Sequence, residues 1–158
     1  MIFYKEILIR QIYRKKGGEQ IIKMLKIKNI KAPETWNLRH RVMASSRPFD
    51  SIKLPKDDKG LHFGLFEEEK LISVISLFIE DEEAQFRKFA TEISEQNKGY
   101  GSILLNHIIE ESVKNNVKML WCNARMTALS FYEKFGFKAV SEIWMDNDIE
   151  YIKMERTF

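Results

Sequence analysis

The segment that most constrains the fold is a ten-residue run from Lys70 to Ile79, which is apolar on both of its alternating faces. In an extended strand, successive side chains point to opposite sides, so both sides of this segment need cover. A strand with this pattern is central in a sheet and is packed on both faces. The two faces carry Ile72, Val74 and Phe78 on one side and Leu71, Ile75, Leu77 and Ile79 on the other.

Periodicity along the chain predicts nine further elements around this strand. Together with it they form the order strand 24–30, helix 34–42, strands 61–66, 70–79 and 85–91, helix 99–115, strand 117–123, helix 128–135, and strands 138–144 and 149–155. Tight polar turns between the early strands indicate antiparallel pairing, and the helix at 99–115 indicates a parallel crossover. We therefore expect an α/β fold of the α+β type, with a mixed, mostly antiparallel central sheet flanked by helices.

Length and composition narrow the class of protein. The chain has 158 residues, 44% of them hydrophobic and 31% charged, as in one soluble globular domain. A net charge of +3 is too small to indicate nucleic-acid binding, and no apolar run reaches the length of a membrane span. The single cysteine, Cys122, excludes an intrachain disulfide. We expect a cytoplasmic protein with no nucleic-acid or membrane partner.

The first 23 residues differ from the remainder of the chain. They contain the basic, glycine-punctuated run at 14–18, and after them Met24 opens a segment that alternates apolar and basic residues. We predict that residues 1–23 are an N-terminal extension and that the domain proper is 24–158. The extension is either a helix or strand, or a leader translated from a mis-set start, because the run Lys-Gly-Gly-Glu is what a purine-rich ribosome-binding sequence would encode.

A glycine-containing turn at residues 96–101 lies between a predicted strand and a strongly amphipathic predicted helix. The first amides of a helix have no intrahelical partner, and together with the helix dipole they attract phosphate. Glycine lets the backbone approach phosphate oxygens closely. The spacing fits neither a dinucleotide-binding fingerprint nor a Walker loop. Taken alone, the turn is either an anion-binding site or a simple strand-to-helix connection.

The segment from Ala90 to Leu105 resembles the acyl-CoA-binding motif of the GNAT superfamily, whose pattern is Q/R-x-x-G-x-G/A. The resemblance implies that acetyl-CoA is the acyl donor, that amides of the turn surround its pyrophosphate, and that the preceding strand pairs with its pantetheine. The chain departs from many members, which have glycine where Asn97 stands and proline where Ile93 stands. The cofactor-binding residues implied here are Phe89, Ala90, Thr91, Gln96, Asn97, Lys98, Gly99, Tyr100, Gly101 and Ser102.

A second segment, from Trp121 to Phe137, is similar to the GNAT strand and helix that end in F-Y-x-K-x-G-F. The resemblance implies that Tyr132 assists departure of the CoA thiolate, since a phenol can donate a proton to the sulfur. From the residues alone, Tyr132 could equally pack on an apolar helix face. The resemblance adds Asn123, Ala128 and Lys134 to the cofactor-binding residues.

The sequence says less about the site of the acceptor amine. An alkylammonium has a pKa near 10.4 and must lose a proton before it attacks, so a base or a water chain is needed. We predict Glu92 as this base, with Glu80 and His62 as further candidates, although His62 could simply be a satisfied strand histidine. A covalent route through Cys122 is the less favoured mechanism.

Taken together, these features predict a metal-free N-acetyltransferase that moves an acetyl group directly from acetyl-CoA to a primary amine. The acceptor is a small-molecule or peptide amine, and a homodimer is possible, as in many relatives. The alternative is a non-catalytic module of the same fold that binds or senses CoA.

Overall fold

The computed structural model describes residues 6–158. Its strands and helices are β1 (Glu6–Arg14), β2 (Gln20–Ile30), α1 (Ala32–Met43), β3 (Leu61–Glu67), β4 (Lys70–Glu80), β5 (Glu83–Thr91), α2 (Tyr100–Lys114), β6 (Met119–Arg125), α3 (Leu129–Glu133), β7 (Lys138–Ala139), β8 (Trp144–Asp146) and β9 (Ile149–Thr157). Four short 3₁₀ helices lie at Phe49–Ile52, Asp57–Lys59, Ile93–Glu95 and Met126–Ala128. No helix in the described part is long and apolar enough to cross a membrane.

The chain divides into two compact units, and β4, β5 and α2 each run from one into the other. The first unit comprises residues 6–76 and 88–104 of the described chain, and the second comprises 77–87 and 105–158. The sheet order is β1-β2-β3-β4-β5 in the first unit. In the second it is β4-β5-β6-β9-β7, with β8 also paired to β9. The predicted mixed, mostly antiparallel sheet flanked by helices is confirmed.

Charged two-residue turns produce the antiparallel half of the sheet. Glu68 and Asp81 each adopt a positive φ of 54°, which reverses the chain between β3 and β4 and between β4 and β5. Acidic side chains at such turns stay in water, while the apolar strands on either side are buried. In the first unit, a core of Ile30, Leu38, Val74 and Ala90 joins α1 to the sheet.

The second unit contains the parallel step. β5 pairs parallel with β6 through Glu83–Gln85 and Met119–Trp121, and β6 then pairs antiparallel with β9. α2 provides the crossover that a parallel connection requires. α3 ends at Glu133, and the turn after it contains Gly136, whose φ of 83° lies in the left-handed region and whose amide donates to the Glu133 carbonyl oxygen at 3.0 Å.

The predicted strand at 138–144 is wrong in its middle. Lys138–Ala139 pairs with β9, the Val140 amide still donates to the Lys153 carbonyl oxygen at 2.9 Å, and pairing with β9 resumes at Trp144. Between these points, the Ser141 hydroxyl accepts the Lys153 amide hydrogen at 2.9 Å. The Ser141 side chain therefore takes the place of a backbone acceptor in the hydrogen-bond ladder with β9. A strand-like residue pattern does not reveal such a replacement.

The described part of the N-terminal segment forms a hairpin, because β1 pairs antiparallel with β2 from Glu6↔Lys28 to Arg14↔Gln20. Residues 1–5 lie outside the described part of the chain. The predicted boundary between residues 23 and 24 falls within β2, and the division into an extension and a domain proper remains a prediction.

A buried ion pair anchors α1 to the first unit. The Arg39 guanidinium is fully buried and donates to both carboxylate oxygens of Asp57, at 2.8 and 3.0 Å, and to the Ser76 hydroxyl at 2.9 Å. His62 Nε2 donates to the Asp57 carbonyl oxygen at 2.7 Å, so its Nδ1 accepts the Ser76 hydroxyl hydrogen. The chain of hydrogen bonds thus links α1, β3 and β4.

The environment of Asp57 keeps it charged. Burial tends to raise the pKa of this carboxyl, but hydrogen bonds from Arg39, the Leu54 amide and the Trp36 indole outweigh that effect and lower the pKa. A buried charge of this kind is stable only while its partner is present.

We predict that Arg39→Met will lower the free energy of unfolding by about 3–5 kcal/mol, because it leaves the Asp57 carboxylate buried without its cation. Urea unfolding monitored by circular dichroism measures the loss. Arg47→Met, at an exposed position, is the matched control and should change stability by no more than about 0.5 kcal/mol. A cost for Arg39→Met as small as that of the control contradicts the prediction.

Candidate functional site

The turn between β5 and α2 has the backbone of an anion-binding loop. Asn97 and Gly99 adopt positive φ values of 62° and 85°, and α2 begins at the next residue, Tyr100. The first helical hydrogen bond runs from the Ile103 amide to the Gly99 carbonyl oxygen. The amides before Ile103 are therefore the unpaired donors at the start of a long helix, which favour a bound anion.

Gln96 and Gly101 fix the shape of this turn. The Gln96 amide nitrogen donates to the Thr91 carbonyl oxygen at 3.1 Å, which ties the turn to the end of β5. A Cβ at Gly101 would lie 3.3 Å from the Phe89 ring, so glycine permits close contact between α2 and β5. Gln96 and Gly101 thus have structural roles that the motif alone does not state.

The polar groups of the Tyr100 and Lys98 side chains have partners within the chain. The Tyr100 ring is buried, and its hydroxyl accepts a hydrogen from Lys23 Nζ at 3.1 Å and donates to Glu67 at 3.4 Å. Lys98 Nζ lies 3.0 Å from Glu95, so its charge is partly compensated. At Tyr100 the backbone amide is the group that can face an anion, whereas at Lys98 the side chain is 48% exposed and its ammonium can do so as well. Ser102 lies half-buried in the first turn of α2.

The end of β5 contains an irregularity that the sequence does not predict. Lys88 has a φ of 53° within the strand, a conformation that non-glycine residues rarely adopt. Beyond it, Ala90 and Thr91 are held against β4, because the Ser73 hydroxyl donates to the Ala90 carbonyl oxygen at 3.1 Å and lies 2.8 Å from the Thr91 hydroxyl.

Glu92, the predicted base, forms an ion pair directly after β5. The Arg41 guanidinium on α1 lies 2.6 Å from one of its carboxylate oxygens. Hydrogen bonds from Arg41 lower the pKa of Glu92 and keep it ionised. Sequence reasoning missed Arg41, because it lies 51 residues before Glu92 and nothing in the local sequence pairs the two.

The other candidate bases differ from Glu92 in their surroundings. Both ring nitrogens of His62 are hydrogen-bonded within the buried network, and burial lowers its pKa. This agrees with the interpretation of His62 as a satisfied strand histidine. Glu80 lies exposed at the end of β4 in the second unit.

Tyr132 lies in an aromatic cluster of the second unit. Its ring centroid is 5.7 Å from Phe86, 5.2 Å from Phe131 and 6.0 Å from Phe137, and the residue is only 9% exposed. Burial raises the pKa of the phenol, and the nearby Cys122 raises it further. The phenol therefore keeps its proton at neutral pH and can act as a hydrogen-bond or proton donor.

The remaining predicted residues of the second unit lie on three elements. Asn123 is exposed on β6, Ala128 is half-buried in the 3₁₀ helix before α3, and Lys134 is exposed at the end of α3. Lys134 lines an open cleft of about 780 Å³ together with Lys138, Glu155 and Arg156. Three cations against one carboxylate make this cleft suitable for an anionic group.

Possible metal ligands and the Cys122 thiol bear on the chemistry of the described part of the chain. Within residues 6–158, no group of three or more His, Cys, Asp or Glu side chains is placed to hold a metal ion. Cys122 is buried, and burial raises the pKa of its thiol to about 12, which leaves little thiolate at neutral pH.

We predict that Arg41→Gln will raise the pKa of Glu92 from its lowered value to at least about the ordinary value of 4.5, because the cation that favours the ionised form is removed. A pH titration of ¹³C-labelled glutamate followed by NMR measures the change. Arg47→Gln removes an exposed arginine elsewhere in the first unit and should leave the Glu92 titration as in the wild type. An unchanged Glu92 pKa in Arg41→Gln contradicts the ion pair.

Comparison with known proteins identifies the family of the chain. Residues 44–158 match the family model described as "Acetyltransferase (GNAT) domain". The uncharacterized N-acetyltransferase YitI of Bacillus subtilis is 29% identical over 128 residues, covering 75% of this chain and 86% of that protein. The [ribosomal protein bS18]-alanine N-acetyltransferase of Escherichia coli is 26% identical over 108 residues, covering 66% of this chain and 73% of that protein.

Solved structures give the same fold. The crystal structure of the Escherichia coli ribosomal-protein-S18-alanine N-acetyltransferase superposes with a TM-score of 0.71 at 23% identity, covering 85% of this chain and 94% of that one. A GNAT family acetyltransferase from Elizabethkingia anophelis with acetyl-CoA bound gives a TM-score of 0.69 at 19% identity, covering 85% and 98%. Because the family model matches well over half of the chain, the protein belongs to the GNAT acetyltransferase family and is an acyltransferase.

Proposed function

We propose that the protein transfers an acetyl group from acetyl-CoA to a primary amine by direct attack, with both substrates bound together. The observation that carries this proposal is the turn at residues 96–101, which combines two left-handed positions with the start of a fifteen-residue helix. This backbone presents several amide hydrogens to one anion, as binding of a pyrophosphate requires.

The residues of the turn fit the donor substrate. The amides from Asn97 to Ser102 would bind the pyrophosphate, while Gln96 and Gly101 keep the turn in shape through Thr91 and Phe89. The backbone at Ala90 would pair with the pantetheine. In the second unit, Asn123, Ala128 and Lys134 would complete donor binding, and the cationic cleft beside Lys134 supports its contact with a phosphate.

Tyr132 is proposed as the acid of the reaction. The amine nitrogen attacks the thioester carbonyl carbon, the carbon–sulfur bond breaks, and the departing thiolate takes the phenol hydrogen of Tyr132. Burial in the aromatic cluster supports this role, because the raised pKa of the phenol keeps it protonated until charge develops on sulfur.

Glu92 is proposed to act on the amine proton through water. A carboxylate with a lowered pKa is a weak base, so a direct and lasting proton transfer to it is unfavourable. The carboxylate can instead orient a water molecule that carries the proton to solvent. Direct transfer is also favoured over an acetyl-cysteine route, since the buried Cys122 thiol is not ionised at neutral pH.

The acceptor is proposed to be a small-molecule or peptide primary amine. The Escherichia coli relative is named for acetylating an alanine of a ribosomal protein, which makes a polypeptide acceptor one of the two classes to test. A cytoplasmic location and a homodimer remain predictions.

We predict that Gly99→Ala will weaken acetyl-CoA binding by about 5- to 30-fold, because the exposed turn of the free variant relaxes out of the left-handed conformation and must regain it, at about 1–2 kcal/mol, when the ligand binds. No atom lies within 4 Å of the added Cβ, so the change tests backbone conformation without a clash. Isothermal titration calorimetry with acetyl-CoA measures the affinity.

Gly18→Ala is the matched control for this experiment. Gly18 has a similar φ of 84° in the turn between β1 and β2, and no atom lies within 4 Å of the added Cβ there either. This variant should lose stability while keeping its affinity for acetyl-CoA within about twofold, since strain there lies outside the turn at residues 96–101. Equal losses of affinity in both variants, or none in Gly99→Ala, contradict the assignment of the turn.

We predict that Tyr132→Phe will lower kcat by about 10²–10⁴-fold, the usual contribution of a general acid, and will leave the Kd for acetyl-CoA nearly unchanged. Release of free thiol with a panel of amines measures turnover, and calorimetry measures binding. Tyr151→Phe, on β9 of the same unit, is the control and should retain activity. A fully active Tyr132→Phe enzyme excludes the acid role.

A further inference from the structure

Two aromatic rings and a carboxylate surround one ammonium group in the first unit. Lys53 Nζ lies 4.5 Å from the centroid of the Trp36 ring and 5.7 Å from that of Phe49, both within the range of a cation–π contact. The same nitrogen lies 2.7 Å from a carboxylate oxygen of Asp50. Rings on two sides with an adjacent carboxylate form an arrangement that recognises alkylammonium groups.

Both rings are held by partners other than Lys53. The Trp36 indole nitrogen donates to Asp57 at 3.1 Å, and Asp57 is itself fixed by the buried Arg39. The Phe49 ring makes an edge contact with the His40 ring, with centroids 5.3 Å apart and planes at 67°. The rings would therefore keep their places if the lysine left, so the cavity for the cation is preorganised.

The same group of residues is open to water. Phe49 is 39% exposed, and the side chains of Asp50 and Lys53 are 83% and 38% exposed. The Lys53 side chain has a flexible stem, so it can leave the rings without disturbing the backbone of the 3₁₀ helix Phe49–Ile52.

We propose that Trp36, Phe49 and Asp50 form a binding site for an alkylammonium group of a ligand, which displaces the ammonium of Lys53. In the unliganded protein Lys53 occupies the site as an intramolecular competitor at high effective concentration. The ligand class is a primary to quaternary alkylammonium, from a small amine or from a lysine side chain of a polypeptide.

The position of Trp36 on α1 relates this site to Glu92. Trp36 lies five residues before Arg41, the partner of Glu92, so the two are separated by about 7.5 Å of rise and by about 140° around the helix. If Glu92 acts on the reacting amine, an acceptor whose second ammonium binds at Trp36 must extend around α1, as a lysine-containing peptide can. This extension rests on the proposed function, whereas ammonium binding itself does not.

Binding of tetramethylammonium chloride tests the site without any acetyl transfer. The readout is the shift of the Trp36 indole N–H signal in ¹⁵N-labelled protein, with chloride held constant by sodium chloride and the Trp144 indole as an internal reference. We expect Lys53→Ala to bind at least fivefold more tightly than the wild type, because the competitor is gone. Adding Phe49→Leu to Lys53→Ala should reverse this gain, and so should Asp50→Asn.

The proposal is overturned if Lys53→Ala binds no more tightly than the wild type, or if its affinity survives Phe49→Leu. Lys53 and Phe49 are both partly exposed, so these variants are expected to fold, and their thermal unfolding verifies this.

A second experiment distinguishes ammonium binding from acetyl transfer and identifies which kind of molecule carries the ammonium group. The KM values of 1,4-diaminobutane, of butylamine and of a lysine-containing peptide are compared in the wild type and Phe49→Leu. If the wild type has a lower KM for the diamine or for the peptide than for butylamine, and this difference disappears in Phe49→Leu, that molecule is the source of the ammonium. Tetramethylammonium binding without transfer to any amine would uphold the site and contradict the proposed function.

Discussion

The buried Arg39–Asp57 ion pair is the interaction on which the first unit depends most. It fixes α1 against β3 and β4 through Ser76 and His62, and it holds the Trp36 indole through the same carboxylate. The position of α1 in turn sets the position of Arg41, which controls the charge of Glu92. Because neither buried charge is stable alone, one pair determines the arrangement of several groups beside Glu92, the predicted base.

The proposed donor site depends on backbone conformation more than on side-chain chemistry. Asn97 and Gly99 take left-handed conformations, Gln96 closes the turn onto β5, and Gly101 allows the approach of Phe89. The side chains of Lys98 and Tyr100 are occupied by Glu95 and by Lys23 with Glu67. The basic residue in the motif therefore contributes less free charge to a phosphate than its identity indicates, and the helix amides contribute more.

Much of the fold was predictable because its signals are local. Alternation of apolar residues located β3, β4 and β5, helical spacing located α2, and the two motif segments identified the family. The region at 140–143 was mispredicted because Ser141 replaces a backbone partner with its side chain. The positive φ of Lys88 and the Arg41–Glu92 pair have no local signal, since each arises from contacts between distant segments.

The sequence by itself determined the class of fold and the family, and it located the proposed cofactor turn and the proposed acid Tyr132, because periodicity and short motifs encode them within a few residues. Only the tertiary structure decided which ionisable side chains are already engaged by partners. It showed His62 engaged in a buried network, Glu92 paired with Arg41, and Lys53 held between Trp36 and Phe49. The physical reason is that pKa values and cation binding depend on burial and on partners distant in the chain, which residue identity alone does not specify.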